Sequence, residues 1–141
     1  MLFPYKDDNP RVLFPIITYT IIGINIFIYL LQFHFIGNNP QLAKDIIYRF
    51  GFIPNDFNVF NIITSMFMHG GFGHIIGNMW FLYIFGDNVE SILGHARYFS
   101  FYIFCGIGAA LGQFFIEPTS ATPMVGASGA IAGVLGAYMI K

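Results

Sequence analysis

Charges along this chain fall in clusters, and the apolar gaps between them set its organisation. Lys6, Asp7, Asp8 and Arg11 come first, and no Asp, Glu, Lys or Arg follows until Lys44. The stretch Leu13 to Ile36 is apolar and long enough to cross about 30 Å of hydrocarbon as a helix, which takes about 20 residues. It is too long and too acidic at its start for a secretory signal peptide, and no A-x-A site follows it. We read it as a retained first span, with Pro15 near its start, where a missing N–H costs little.

Residues 37–58 are mixed. Gly37-Asn38-Asn39-Pro40 is a turn signal. Lys44, Asp45, Arg49 and Asp56 then interleave with Ile46, Ile47, Tyr48, Phe50 and Phe52. That pattern suits a segment lying in the membrane interface with its apolar side chains dipped into lipid. Residues 57–86 are again free of formal charge, but His69-Gly70-Gly71-Phe72-Gly73-His74 interrupts them. Glycines at that density disfavour one continuous helix. The pattern predicts a break at 69–71 and a second span over 72–92, its exit marked by Asp87, Glu90, His95 and Arg97. Residues 98–116 read as a third span. The segment 117–123, Glu-Pro-Thr-Ser-Ala-Thr-Pro, reads as a loop, and 126–140 as a fourth span. The expected fold is therefore all-α: an integral membrane protein of four transmembrane helices plus an interfacial loop. Lys6, Arg11, Arg97 and Lys141 fall on one side of this path, and Lys44 and Arg49 on the other. That bias favours a cytoplasmic N-terminus.

Composition supports lipid as the solvent. Of 141 residues, 56% are hydrophobic and 9% charged, against about 25% charged in a soluble domain. A soluble fold of this size would expose large apolar patches. The net charge of −1 supplies no basic field, so nucleic acid is not an expected partner. The single cysteine, Cys105, reads as a small packing residue inside an apolar run.

Polar groups inside spans are costly and are functional candidates by default. His69, His74, Asn78 and Ser128 are the ones to explain. His74 and Asn78, at i and i+4, share one helix face. A zinc site is one option, since helical zinc pairs use His at i and i+4. However, His69 and His74 are five apart across glycines, and Asn is a poor zinc ligand. A satisfied structural histidine pair is another. Ser128 sits in Gly126-Ala127-Ser128-Gly129, after a Pro-containing loop and at the start of an apolar helix. Free N–H groups and the helix dipole there would stabilise an oxyanion. It is not the G-x-S-x-G elbow of soluble hydrolases, because position 130 is Ala. A serine among small residues in a membrane helix is also ordinary packing material. Ser128, Ala132 and Gly136 repeat at i, i+4 and i+8 beside Gly129 and Gly133, and such a face lets another helix approach closely.

His69-x4-His74-x3-Asn78 followed by Gly126-x-Ser128-Gly129 resembles the rhomboid family of intramembrane serine proteases. The surrounding residues match too: Thr64 to Gly71, Gly86-Asp87-Asn88-Val89-Glu90, and Pro123 to Ala130. The resemblance covers roughly residues 10–141. It implies a core of six spanning helices around a water-accessible cavity, of which this chain is the N-terminal part. It implies Ser128 as nucleophile, His74 and Asn78 as oxyanion donors with the Ser128 N–H, His69 as support for the cavity, and Gly126 and Gly129 as the residues permitting close approach. It implies no cofactor and no metal. Glu90 and Arg97 look like structural residues of the cytoplasmic end. Phe60-Asn61 stands where some members carry a Trp-Arg pair.

In that family the general base is a histidine on the sixth span. The residues here run only to Lys141, so the chain is expected to be incomplete after the serine-bearing helix, and inactive as it stands. A serine needs an adjacent base. The expected activity is cleavage of transmembrane or juxtamembrane segments of membrane proteins, in a multi-pass protein of the cell membrane if prokaryotic. Self-association through the Ser128/Ala132/Gly136 face is expected. Alternatives are a catalytically inactive relative that binds membrane clients, and a channel or transporter fragment.

Overall fold

Thr18, Asn25 and Gln32 are seven residues apart in the first apolar stretch, so a helix stacks them on one face. The computed structural model of the protein describes residues 13–140, and all three are buried there. They form the inward stripe of α1 (Ile16–Ile36), whose other faces are apolar and exposed. Five helices follow: α2 (Pro40–Phe50), α3 (Val59–Ser65), α4 (Phe72–Leu93), α5 (His95–Ile116) and α6 (Ser128–Met139). The described residues form no β-strand; a single antiparallel pair joins Phe52 to Met124. Lys6, Asp7, Asp8, Arg11 and Lys141 lie outside the described residues.

Local chemistry sets the boundaries. Pro40 opens α2 at a position where its missing N–H costs nothing, and the Asn39 side chain accepts from Leu42 N at 3.1 Å. Leu42, Ala43, Ile46 and Ile47 are half-buried on one side of α2, while Lys44, Asp45 and Arg49 are exposed. This amphipathic helix occupies the segment expected in the interface. α3 ends at Ser65 and α4 starts at Phe72, so the glycine-rich break at 69–71 is present.

Four spans are expected, but only α1 and α5 are long and apolar enough to cross a membrane by that measure alone. α4 has the length, at 22 residues, but it carries His74, Asn78, Asp87, Asn88 and Glu90. α6 is apolar but runs for 12 residues, or about 18 Å.

α4 is the central helix, packed against α1, α5 and α6. Its Ile75, Met79, Leu82 and Val89 join Ile21, Met66, Tyr98, Tyr102, Ala130, Ile131 and Val134 in one core. Asp87 and Glu90, expected at the exit of this helix, lie in its last two turns, and both are buried. The Glu90 carboxylate accepts from Ile17 N and Thr18 N, each at 2.8 Å, from Thr18 Oγ1 at 2.7 Å, and from His95 Nδ1 at 2.6 Å. Those backbone groups belong to the first turn of α1, whose N–H groups have no partner within the helix. Glu90 thus caps one helix from another, at the positive end of its dipole. A structural role for Glu90 follows.

α6 lies closely on α5 through glycines. A Cβ at Gly129 would meet Ala109, and one at Gly133 would meet the Cβ and Sγ of Cys105. Cys105 is the small packing residue expected. Gly136 faces open space, with nothing within 4 Å of where its Cβ would be. Gly133→Ala is therefore expected to destabilise by about 1–3 kcal/mol through overpacking. Gly136→Ala is expected to be neutral or to stabilise by up to about 1 kcal/mol from helix propensity. Unfolding of both variants in detergent micelles checks the contrast.

Candidate active site

The loop before α6 is held from three directions. Phe52 and Met124 exchange backbone hydrogen bonds at 3.0 and 2.8 Å, Asn55 N donates to Ser120 O at 3.1 Å, and Gly126 N donates to Ser65 O at 2.8 Å. The last bond ties the serine loop to the end of α3. Asn61 also contributes: its Nδ2 donates to Arg49 O at 3.2 Å and Gly51 O at 2.9 Å. With the loop fixed, Ala127 is buried and Ser128 stands exposed at the first position of α6. Ala132 and Gly136 are exposed on the same face. The adjacent strip of Gly129 and Gly133 is the one that α5 approaches.

His74 and Asn78 come from the first turns of α4 and both reach Gly126. A Cβ on Gly126 would lie 2.7 Å from His74 Cε1 and Nε2 and 3.4 Å from Asn78 Nδ2. Gly126 also has φ of +113°, which a residue with a side chain rarely adopts. Glycine is therefore required here twice over. The Asn78 Nδ2 group is buried and makes no hydrogen bond. His74 is exposed, and its Nδ1 takes the N–H of Gly70 over a long 3.4 Å. A neutral imidazole that accepts at Nδ1 carries its proton on Nε2. Two N–H donors, His74 Nε2 and Asn78 Nδ2, therefore face the backbone two residues before Ser128. The unpaired N–H groups opening α6 point the same electrostatic way. Such a set of fixed donors can stabilise negative charge developing on an oxygen.

His69 is fully buried in the loop between α3 and α4. Its Nδ1 is 3.3 Å from Phe67 O, so Nδ1 holds the proton. Its bare Nε2 is buried without a partner. Its ring meets Tyr29 and His74 edge-on, with centroids 6.5 and 5.2 Å apart. Burial, and then the adjacent His74, push the His69 pKa from 6.5 down to about 4. His69 is therefore neutral at physiological pH. Among the described residues, no group of three or more His, Cys, Asp or Glu could hold a metal ion.

One contributor was not singled out from the residues alone. Gln32 on α1 grips the backbone of His69: Gln32 Nε2 donates to His69 O at 2.7 Å, and His69 N donates to Gln32 Oε1 at 3.3 Å. The signal for it was present in the heptad spacing of Thr18, Asn25 and Gln32. Polar residues at that interval in a span share an inward face.

Comparison with known proteins bears on this arrangement. The Rhomboid domain family matches residues 56–141. YdcA of Bacillus subtilis, provisionally named a rhomboid protease, is 30% identical over 129 residues, which cover 90% of this chain and 62% of that protein. Rhomboid-like protein 11, chloroplastic, of Arabidopsis thaliana is 39% identical over 75 residues, covering 53% of this chain and 26% of that protein. Rhomboid protein 1, mitochondrial, of Saccharomyces cerevisiae is 29% identical over 145 residues, covering 96% and 38%. The chain thus spans about a quarter to three-fifths of the length of these relatives. No solved structure matches it.

Proposed function

The chain belongs to the rhomboid family, and from that premise we propose that it carries the nucleophile and the oxyanion site of an intramembrane serine endopeptidase. The observation that carries the proposal is the pair of side-chain N–H donors, one of them buried and unpartnered, packed against the glycine two residues before Ser128. A lipid-facing helix has no use for an unpaired buried amide, which costs about 1–3 kcal/mol. A site that receives an oxyanion has one.

In this reading Ser128 Oγ attacks the carbonyl carbon of a peptide bond in or beside a substrate's membrane segment. Its proton passes to a base, which the family resemblance places on a helix packed over the exposed Ser128–Ala132–Gly136 face of α6. The carbonyl oxygen takes the negative charge and accepts from Ser128 N, His74 Nε2 and Asn78 Nδ2. As the tetrahedral intermediate collapses, the C–N bond breaks and the base returns the proton to the leaving amine. Water then hydrolyses the acyl-enzyme. His69 stays neutral and holds the loop. Gly126 and Gly129 permit close packing, the first of His74 and the second of α5. α4 and α6 cross the bilayer with α1 and α5 in this reading, α4 with Asn78, Asp87 and Glu90 turned inward and α6 as a short apolar helix. The exposed α6 face is also where a second copy would dock if the base-bearing helix does not cover it.

The test uses the full reading frame of the gene, reconstituted in liposomes with a fluorogenic transmembrane substrate, together with labelling by a fluorophosphonate. Cleavage and labelling of Ser128 are expected, with both lost in Ser128→Ala. His74→Ala and Asn78→Ala are each expected to lower kcat by about 10²–10³, the usual cost of one oxyanion donor. Absence of both cleavage and labelling in the folded protein overturns the protease reading in favour of a family member that binds membrane clients without cutting them.

A further inference from the structure

We propose that Gln32 on α1 is a positioning residue of this site, holding the backbone of His69 so that Gly70 keeps His74 in the tautomer whose Nε2–H faces the serine loop. The inference deepens the reading above, and rests on it only for what the donor serves. The structural observation stands by itself. Gln32 is buried near the C-terminal end of α1, on the same inward stripe as Thr18 and Asn25, and is 37 residues away in sequence from the group it holds. A buried amide is costly unless both its ends are paired. Here both are, with the C=O and the N–H of one residue. That residue's two backbone groups also dictate which end of the amide is which, since a carbonyl needs a donor and an N–H needs an acceptor.

The consequence travels one residue further. The loop between α3 and α4 has no helical hydrogen bonds of its own to fix it. The backbone bonds Met66 N to Ile63 O, Phe67 N to Thr64 O and Met68 N to Ser65 O, at 3.1–3.3 Å, hold it only as far as Met68. The chain is next fixed by its backbone at Gly71, whose carbonyl accepts from Ile75 N at 3.2 Å, so His69 and Gly70 between these bonds depend on side chains. Gln32 grips His69, and the next N–H, that of Gly70, is the group that meets His74 Nδ1. Remove the grip and Gly70 N–H is free to turn away. Nothing then distinguishes the two nitrogens of His74, which is exposed and has no other hydrogen-bonding side chain at Nδ1. A His74 protonated on Nδ1 instead would present a lone pair to the oxyanion, a repulsive contact in place of a donor.

The experiment reads the position of the proton, so it needs no turnover. This chain is prepared in detergent micelles with nitrogen-15-labelled histidine, and NMR reports the protonation of each ring nitrogen. Wild type is expected to show His74 protonated on Nε2. In Gln32→Leu the ratio of the two His74 tautomers is expected to fall about fivefold, the equivalent of one neutral hydrogen bond. The signal of His95, held by Glu90 at the opposite end of α4, is expected to stay unchanged. Gln32→Glu keeps the acceptor for His69 N and loses the donor to its C=O, so it is expected to fall between the two and serves if the leucine variant does not fold. An unchanged His74 ratio in a folded variant overturns the proposal. So does a change shared equally by His95, which would mark a general loosening. Failure of the protease reading looks different: Ser128 stays unlabelled in the protein made from the full reading frame while the His74 tautomer of this chain still follows Gln32.

Discussion

Gly126→Ala is expected to remove most of the activity of the full-length protein and to destabilise this chain by about 2–4 kcal/mol. Two independent costs add. An alanine at φ of +113° is strained by about 1–3 kcal/mol. Its Cβ would also lie 2.7 Å from the His74 ring, so either His74 or the loop must move. The loop is pinned by Gly126 N to Ser65 O and by the Phe52–Met124 pair, so His74 gives way. A displacement of about 1 Å in a positioned catalytic group can cost about 10² in rate. The two costs can be separated. In the Gly126→Ala, His74→Ala double variant the steric part disappears and the backbone part remains, so stability recovers in part while activity does not. Thermal unfolding in micelles and fluorophosphonate labelling measure both. A Gly126→Ala protein within about 0.5 kcal/mol of wild type would show that the serine loop does not pack on His74 as described.

Glu90→Ala is expected to have the largest effect on stability alone, about 3–5 kcal/mol, the usual cost of removing one partner from a buried charged network. The reason lies in what remains. Ile17 N, Thr18 N and Thr18 Oγ1 all donate to this carboxylate, and each would be left facing apolar core. Thr18→Val removes one of the four donors and is expected to cost about 1 kcal/mol. Glu90→Gln keeps the volume and one acceptor but turns an NH₂ toward donors, so it is expected to fall between them. Hydrogen exchange distinguishes this from a local effect: protection should drop along α1 as well as α4, because the cap joins the two helices. Loss confined to α4 would refute the capping role. Neither substitution touches Ser128, so residual folded protein should still label.

The two residues differ in how far their roles could be seen in advance. Gly126 was singled out because it precedes a serine in a motif, and the motif carried the expectation of close approach. Which group approaches was not legible, because His74 is 52 residues away and only folding brings α4 to the loop. Glu90 was read from its charge as marking a helix exit, and from the family resemblance as a structural residue of that end. Its partners are the N–H groups of α1, and backbone donors leave no mark in a side-chain pattern. The same reason hid Gln32, whose partners are the C=O and N–H of His69. Gly129 shows the converse. The motif associated it with the serine, and in three dimensions it faces Ala109 on α5.

What the residues determined by themselves is where α1, α4, α5 and α6 fall, the break at 69–71, an interfacial segment within 37–58, and the two motifs; α3 was not read from them. These depend on local propensity, on apolar periodicity and on glycine density, all of which act within a few residues along the chain. The tertiary structure decided the rest. It placed α4 at the centre, where its polar residues are sheltered; those residues lower its hydropathy, and α6 is apolar but short, so only α1 and α5 are identified as spans. It turned a polar stripe on α1 into a cap acceptor's partner at one end and a grip on His69 at the other. It brought two side-chain donors to one glycine. A buried polar group is paired wherever the fold supplies a partner, and for Gln32 and Glu90 that partner is the backbone of a distant helix or loop.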